Sequence, residues 1–284
     1  MKITIFNVEH GACALISSDT GLHALVDCGH NSTTGWRPSV ALPAMGINSL
    51  AGMFITNYDE DHVSDLPYLR ERVGIQILYR NPTVSGPQLL ALKNADRPPG
   101  RGIDSLITMT GIFTAPVISQ PNWGNITFSL YWNNFPGDFV DENNLSVALF
   151  VHHPNLTVLF PGDLEKAGWR RLLQNTQFVQ ELQRVHVLVA SHHGRENGCC
   201  EELFEYSRWN PQITIVSDDF KQFETQETTS WYRARSRGIP FDGGIRKVFT
   251  TRSDGNIFLE ASGFGASIDT ESRQLNALLR GIAE

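Results

Sequence analysis

The chain has 284 residues, of which 41% are hydrophobic and 19% charged, and its formal net charge is −7. This composition indicates a globular protein with a substantial core, organised as one large domain or two small ones, and it argues against disorder. The negative charge disfavours a general affinity for polyanions. A nucleotide or nucleic-acid substrate is still allowed, because a bound metal supplies its own positive charge.

The cysteines and the apolar runs indicate the cellular compartment. Cys13, Cys28 and the adjacent pair Cys199-Cys200 have the spacing of neither a disulfide framework nor a zinc cluster. No apolar run approaches the roughly 20 residues that a membrane helix needs, and the opening residues lack a signal-peptide layout. We therefore expect a reduced, cytoplasmic protein with no membrane association.

Three short strands are predicted at 3–8, 12–17 and 22–27, separated by turns that contain glycine. The third strand ends at Asp27, which is placed either to enter a site above the sheet edge or to close an Asx-turn. A short helix is predicted over 38–46, with proline near its start and glycine at its end. A buried strand at 53–55 follows.

The segment 56–62 joins that strand to a predicted helix at 63–72, and it brings together Asn57, Asp59, Asp61 and His62. Four oxygen or nitrogen donors at one strand-to-helix junction suit a divalent cation. The acidic residues could equally cap the helix, whose positive N-terminal end attracts carboxylates. This segment alone favours neither interpretation.

The next predicted strand covers 75–79, and the residues 81–125 that follow are rich in proline, glycine and asparagine. We interpret this stretch as an elaboration of the domain, with a helix at 87–94 and a strand near 105–109. Strands resume at 126–132, 145–152 and 156–160, and the last two form a hairpin.

The remaining part alternates strands with helices. Asp163 precedes a helix over 164–174, with further helical structure to 183, and could be its N-cap. A buried strand at 185–190 leads to His192 and His193, which could be a satisfied buried pair. Helices near 200–207 and 227–236, strands near 213–217, 246–250 and 256–260, and an amphipathic helix at 274–282 complete the chain.

This order of elements predicts an α/β fold in which two stacked sheets carry helices on their outer faces, as a single domain over 1–284. Potential ligands follow three strands, at Asp27, Asp163 and His192-His193, in addition to the segment 56–62. Sites in α/β proteins lie just outside the carboxyl ends of strands. Taken together, these positions predict a metal site.

These segments, in their order, resemble the metallo-β-lactamase fold, and within it the hydrolase domain of the bacterial DNA-uptake (competence) channel protein. The matching segments are 7–11, 25–29, 46–47, 56–62, 143–146, 160–163, 191–194, 215–217 and 251–255. The resemblance covers nearly the whole chain. It implies an αββα four-layer sandwich with two mixed sheets, and a metal-dependent hydrolase.

The resemblance also implies a role for each candidate residue. The metal ligands are carried over onto Asn57, Asp59, Asp61, His62, Asp163 and one histidine of the pair His192-His193. We favour His192, because it lies closer to the end of the strand at 185–190. Asp27 would hold a ligand by a hydrogen bond. Asn143 or Asn144 stands nearest to the family's third histidine position.

Departures from the family pattern weaken one half of this implied site. Asn57 replaces a histidine, so the first metal position becomes oxygen-rich and suits Mn²⁺ or Mg²⁺ better than Zn²⁺. The second position, with two carboxylates and two histidines, retains enough donors for Zn²⁺ or Mn²⁺. We expect one firm metal and one optional metal, and Asn57→His should strengthen the first position.

The implied activity is hydrolysis of a phosphodiester in a nucleic acid or nucleotide, with Asp61, His62 and Asp163 as the catalytic residues. Arg195 could meet a substrate phosphate or be an ordinary surface residue. The alternative is a degenerate member that binds or regulates, motivated by Asn57 and by Ser64-Asp65, where the family has two glycines. Hydrolysis of lactones, thioesters or β-lactams is less expected, since those branches carry the full histidine set. The sequence names no partner protein.

Overall fold

The computed structural model describes residues 1–96, 98–219 and 228–283, and its largest sheet has seven strands. Strands and helices are numbered in chain order. From edge to edge this first sheet contains β17 (Gly265–Thr270), β16 (Ile257–Ser262), β1 (Lys2–Ile5), β2 (Ala14–Ser17), β3 (His23–Val26), β5 (Gly52–Phe54) and β7 (Leu78–Tyr79). Antiparallel pairs run from β17 to β3, whereas β3, β5 and β7 are parallel.

The second sheet has six strands and is also mixed. From edge to edge it contains β15 (Val248–Thr250), β12 (Ile213–Val216), β11 (Val187–Val189), β10 (Leu156–Phe160), β9 (Val147–His153) and β8 (Thr127–Trp132). The four strands from β15 to β10 are parallel. Two small ribbons pair β4 (Ser49–Leu50) with β6 (Gly74–Ile75) and β13 (Ile239–Phe241) with β14 (Gly244–Arg246).

Most helices of the described residues are short. They are α1 (Pro38–Ala44), α2 (Glu60–Val63), α3 (Leu66–Arg72), α4 (Gly86–Asp96), α5 (Arg101–Ile112), α6 (Lys166–Leu172), α7 (Thr176–Leu182), α8 (Glu202–Glu205), α9 (Thr229–Arg235), α10 (Thr251–Asp254) and α11 (Glu271–Ala283). Within the described part of the chain, no helix has both the length and the apolar character that crossing a membrane requires.

Three layers of buried side chains hold the sheets and helices together, because alternate residues of each strand point to opposite faces. Ile5 of the first sheet and Val151 of the second belong to the apolar layer between the sheets. Leu25 points outward and joins the cluster that contains Leu66 of α3. Phe150 does the same for the second sheet. The predicted four-layer arrangement of helices, two mixed sheets and helices is therefore confirmed.

The strand predicted near 105–109 is wrong, since this segment belongs to helix α5. Ile103, Leu106 and Met109 are all buried, and their spacing of three places them on one face of a helix. The start of α5 is stabilised from outside, because the Glu60 carboxylate accepts hydrogen bonds from Gly102 N (2.7 Å) and Ile103 N (3.1 Å). The helix predicted at 87–94 is confirmed as α4.

Other boundaries also differ. The helix predicted at 63–72 is interrupted at Ser64 and Asp65, and α3 restarts with Pro67 in its first turn, where a missing N–H costs nothing. The segment 75–79 splits between β6 and β7. The sequence analysis missed β17 and the ribbon of β13 and β14. The helix predicted at 227–236 begins outside the described residues, and α9 is its described part.

Candidate metal centre

The candidate metal centre lies where β3, β5, β10 and β11 end, and it is organised around His62 on α2. Asp27 follows β3 with a left-handed backbone (φ +55°), and its carboxylate accepts from Thr56 N at 2.8 Å. The same carboxylate lies 2.9 Å from His62 Nδ1. Both side chains are 1% exposed. Asp27 therefore fixes the orientation of the His62 ring.

The other nitrogen of His62 points at Asp163, which follows β10. His62 Nε2 is 3.1 Å from Asp163 Oδ1, and His193 Nε2 is 3.5 Å from the same oxygen. His193 Nε2 also lies 3.3 Å from Asp61 Oδ2. Ligand atoms of Asp61, His62 and His193 all fall within 4.8 Å of one another. With Asp163, these residues form what we call the metal-centre cluster.

The turn after β11 selects which histidine joins the cluster. His192 and His193 both have left-handed backbones (φ +50° and +52°), and Gly194 continues the turn at φ +73°. A side chain at Gly194 would come within 2.8 Å of Val216. His193 Nδ1 lies 3.2 Å from Ser217 O, so its Nε2 faces the cluster.

The geometry therefore favours His193 over His192, which the sequence analysis preferred. His192 Nδ1 lies 3.8 Å from Glu165, and His192 Nε2 accepts from the Arg195 guanidinium at 3.3 Å. Two residues separate the last residue of β11, Val189, from His192, and the left-handed turn then carries the second histidine inward. Arg195 lies against His192.

The residues of the predicted first metal position are engaged elsewhere. Asn57 Oδ1 accepts from Asp59 N at 2.8 Å, and Asn57 Nδ2 donates to Asn143 Oδ1 and Ser146 Oγ at 3.2 Å each. Asp59 Oδ1 lies 2.6 Å from Lys93 Nζ. None of these groups belongs to the metal-centre cluster.

Asn144 has a structural role in this region. Its Oδ1 accepts from Gly168 N at 2.8 Å, and its Nδ2 donates to Asp141 at 3.0 Å. These contacts tie the start of β9 to α6. With these contacts Asn144 lies outside the cluster. The side chain of Asn143 is engaged as well, since its Nδ2 donates a hydrogen bond to Glu165 at 3.1 Å.

The carboxylates and imidazoles of the cluster lie close enough to shift one another's pKa values. Burial lowers the pKa of His62, but the carboxylates of Asp163 and Asp27 outweigh it and raise that pKa well above its usual value. Asp163 and Asp61 raise the pKa of His193 against the same effect of burial. Burial raises the pKa of Asp163, yet His62 and His193 hold it well below its usual range.

The cluster fits a divalent metal ion. His193 Nε2 is buried without a hydrogen-bond partner, since its carboxylate contacts lack hydrogen-bond geometry. Two imidazole nitrogens and two carboxylates are a donor set that both Zn²⁺ and Mn²⁺ accept. The Asp61 side chain is 39% exposed, so solvent and substrate can reach this side of the cluster.

Sequence reasoning missed three residues at this site. His10 has two buried ring nitrogens without hydrogen-bond partners, and its pKa is lowered by burial and by the nearby His193. The only indication of His10 in the sequence was its position in segment 7–11, one of the segments that resemble the family. Ser217, which orients His193, ends a predicted strand. Lys93 gave no signal, because its partners are distant in sequence.

This chain has the metallo-β-lactamase fold, with two mixed sheets packed face to face between helices. No protein-family model matches the sequence, and neither does any curated protein. Solved structures do match, and the three described below are each 12% identical to this chain.

The metallo-β-lactamase fold protein YhfI from Bacillus subtilis is 12% identical, with a TM-score of 0.47, over 90% of this chain and 99% of YhfI. CmlA, a diiron beta-hydroxylase from Streptomyces venezuelae, is 12% identical, with a TM-score of 0.51, over 92% of this chain and 54% of CmlA. Igni18, a metallo hydrolase from Ignicoccus hospitalis, is 12% identical, with a TM-score of 0.48, over 92% of this chain and 100% of Igni18. At such low identity the similarity to CmlA shows the fold alone, and the similarities to YhfI and Igni18, with TM-scores below 0.5, add no argument.

Proposed function

We propose that this protein is a metal-dependent hydrolase that cleaves a phosphodiester bond in a nucleic acid or nucleotide. The observation that carries the proposal is the convergence of Asp61, His62 and His193 within 4.8 Å, with Asp163 against both histidines. A divalent metal in such a site lowers the pKa of water and polarises a phosphoryl oxygen.

The protein's own residues prepare the site in distinct ways. Asp27 and the carbonyl of Ser217 each occupy one ring nitrogen of a ligand histidine, which fixes its tautomer and direction. Asp163 is buried and anionic, so it compensates positive charge in the interior. Asp61 is the more exposed carboxylate and is placed to accept a hydrogen bond from an incoming water molecule.

A basic groove supports an anionic substrate despite the net charge of −7. Its volume is about 580 Å³, and its lining includes Arg233, Arg246, Lys247 and Arg252, of which Arg246 and Arg252 are paired with Asp254 and Asp218. Val248 and Thr250 of β15, the parallel neighbour of β12, line part of the groove. The side chain of Thr251, between the groove residues Thr250 and Arg252, exchanges hydrogen bonds with the backbone of Asp218. Asp218 directly follows Ser217, so hydrogen bonds connect one edge of the groove to the residue that orients His193.

The choice of a phosphodiester rests on this groove and on the sequence resemblance to the hydrolase domain of the DNA-uptake channel protein. A second candidate is a binding or regulatory protein without catalysis. The engagement of Asn57 and Asp59 in contacts within the protein favours that candidate, because it removes half of the family's metal site.

The proposal is tested by hydrolysis of bis(p-nitrophenyl) phosphate with added Mn²⁺ or Zn²⁺. We expect measurable turnover by the wild-type protein. Asp163→Ala should reduce the rate more than about 100-fold, because loss of an outer partner alone costs 10- to 100-fold.

The matched control is Asp104→Ala, which removes an exposed carboxylate on α5 and should leave the rate unchanged. Circular dichroism of both variants checks that the fold is retained. A folded Asp163→Ala variant that hydrolyses the diester at the wild-type rate would remove Asp163 from the mechanism.

A further inference from the structure

Helix α4, from the stretch that the sequence analysis interpreted as an elaboration, places Lys93 at the candidate first metal position. Lys93 Nζ lies 2.6 Å from Asp59 Oδ1 and 2.8 Å from Glu142 Oε1. The lysine side chain is 11% exposed, and its two partners are 32% and 26% exposed. This ammonium is therefore a positive charge held between two carboxylates.

The two carboxylates come from the two segments that would form this half of a binuclear site. Asp59 belongs to the segment 56–62, which we call the metal loop, and Glu142 directly precedes Asn143. The amides of Asn57 and Asn143 are hydrogen-bonded to each other across the same gap. These four side chains, of Asn57, Asp59, Glu142 and Asn143, each already use one oxygen in a contact within the protein.

The protonation of Lys93 agrees with this arrangement. Burial lowers its pKa, but the Asp59 charge and the hydrogen bonds to Asp59 and Glu142 outweigh burial and hold the pKa above its usual value. A divalent cation beside this ammonium would meet a like charge and would have to displace it from both carboxylates.

We propose that the Lys93 ammonium takes the place of a metal ion in the half of the site formed by Asn57 and Asp59. The protein then holds a single divalent metal, at the metal-centre cluster. This inference rests on the proposed function, because it requires that the cluster binds metal. The sequence led us to expect an optional second metal. In this inference the Lys93 ammonium occupies that position instead.

The inference also changes the expected effect of Asn57→His. A histidine at position 57 supplies a better ligand, but the Lys93 ammonium still occupies the carboxylates. We therefore expect no second metal in Asn57→His alone. A second metal requires removal of the lysine charge.

The intact protein is dialysed against excess Mn²⁺. The test is then the number of manganese ions per chain, measured by mass spectrometry of the metal. We expect one equivalent for the wild type and two for Lys93→Met, which keeps a long unbranched side chain and removes its charge. The matched control is Lys2→Met, which removes a lysine paired at 3.5 Å with the distant Glu260 and should keep one equivalent.

The outcomes separate this inference from the proposed function. A wild-type protein without metal overturns the proposed function. Two equivalents in the wild type, or in Asn57→His alone, overturn the role of Lys93, and so does a folded Lys93→Met that keeps one. Should Lys93→Met fail to fold, the wild-type and Asn57→His values still decide the matter.

Discussion

Each histidine of the metal-centre cluster uses one ring nitrogen for a structural contact and keeps the other for the cluster. His62 does this through Asp27, and His193 through the carbonyl of Ser217. Without metal, neighbouring carboxylates raise the pKa of both rings above the usual value of 6.5. The carboxylates therefore favour the protonated, cationic form of both rings in the absence of metal.

Metal binding should release protons, because a metal ligand must be a neutral imidazole. Because the raised pKa values favour protonated rings, we expect a net release of protons when the metal binds. Affinity should accordingly rise with pH. Titration calorimetry in two buffers of different ionisation enthalpy measures the number, and identical heats in both buffers would contradict the protonated state.

Asp27→Asn is the matched variant for this measurement. Asparagine tolerates the left-handed backbone at this position and keeps the shape of the side chain. It removes one of the two carboxylate charges that raise the pKa of His62, the other being that of Asp163, so fewer protons should be released. Metal affinity should fall by about 10- to 100-fold, as when other outer partners are lost.

The residues of the site were predictable from the sequence to unequal degrees. Asp61 and His62 lie in the segment that follows β5, and Asp163 follows β10 across a short turn, and strand ends are where α/β proteins build sites. The choice of His193 depends on two left-handed backbones in succession, which no local pattern specifies. Lys93 was beyond prediction, since its partners lie 34 and 49 residues away in sequence.

At the scale of elements, Glu60 links the metal loop to the elaboration. It begins α2, next to the ligand Asp61, and its carboxylate accepts from two N–H groups at the start of α5. These hydrogen bonds satisfy donors that a helix N-terminus leaves open. The loop that carries the ligands is therefore stabilised by a helix that contributes no ligand.

Glu60→Ala should destabilise the protein by about 1–2 kcal/mol, the usual cost of losing a charged cap at a helix start. The measurement is the free energy of unfolding from urea titration. Glu71→Ala, an exposed glutamate on α3, is the control and should change stability by less than about 0.5 kcal/mol. If Glu60→Ala lowered the free energy of unfolding by no more than Glu71→Ala does, the cap would be dispensable.

Helix α5 also shows why local propensity misled the prediction of 105–109. Isoleucine and threonine favour strands on intrinsic grounds. The burial of Ile103, Leu106 and Met109 on one helical face, and the cap supplied by the distant Glu60, favour the helix instead. The apolar face was visible in the sequence as a period of three to four residues, whereas the cap by Glu60 depends on tertiary structure.

At the scale of the whole molecule, the order of strands and helices predicted the four layers, but not how the strands pair. The first sheet is completed by β16, which pairs with β1 across nearly the whole chain, from Lys2 to Glu260. Such long-range pairing leaves no local signal. It brings the start of the chain, with His10, to the same site as the late residue Ser217.

The basic groove makes a prediction at this scale. Reversing two of its charges, in Arg233→Glu with Lys247→Glu, should raise the KM for a single-stranded oligonucleotide at least about tenfold, because phosphate contacts are lost. Turnover of bis(p-nitrophenyl) phosphate should stay unchanged, since a small diester does not reach the groove. Equal effects on both substrates would exclude the groove as a binding surface.

The central claim is that the metal-centre cluster binds a divalent metal. The most direct measurement is the metal content of wild-type protein purified without chelator, together with its melting temperature before and after addition of Mn²⁺ or Zn²⁺. We predict close to one equivalent of metal and a melting temperature that rises with added metal, because a ligand that binds only the native state stabilises it. A metal-free protein whose melting temperature ignores both ions would contradict the account.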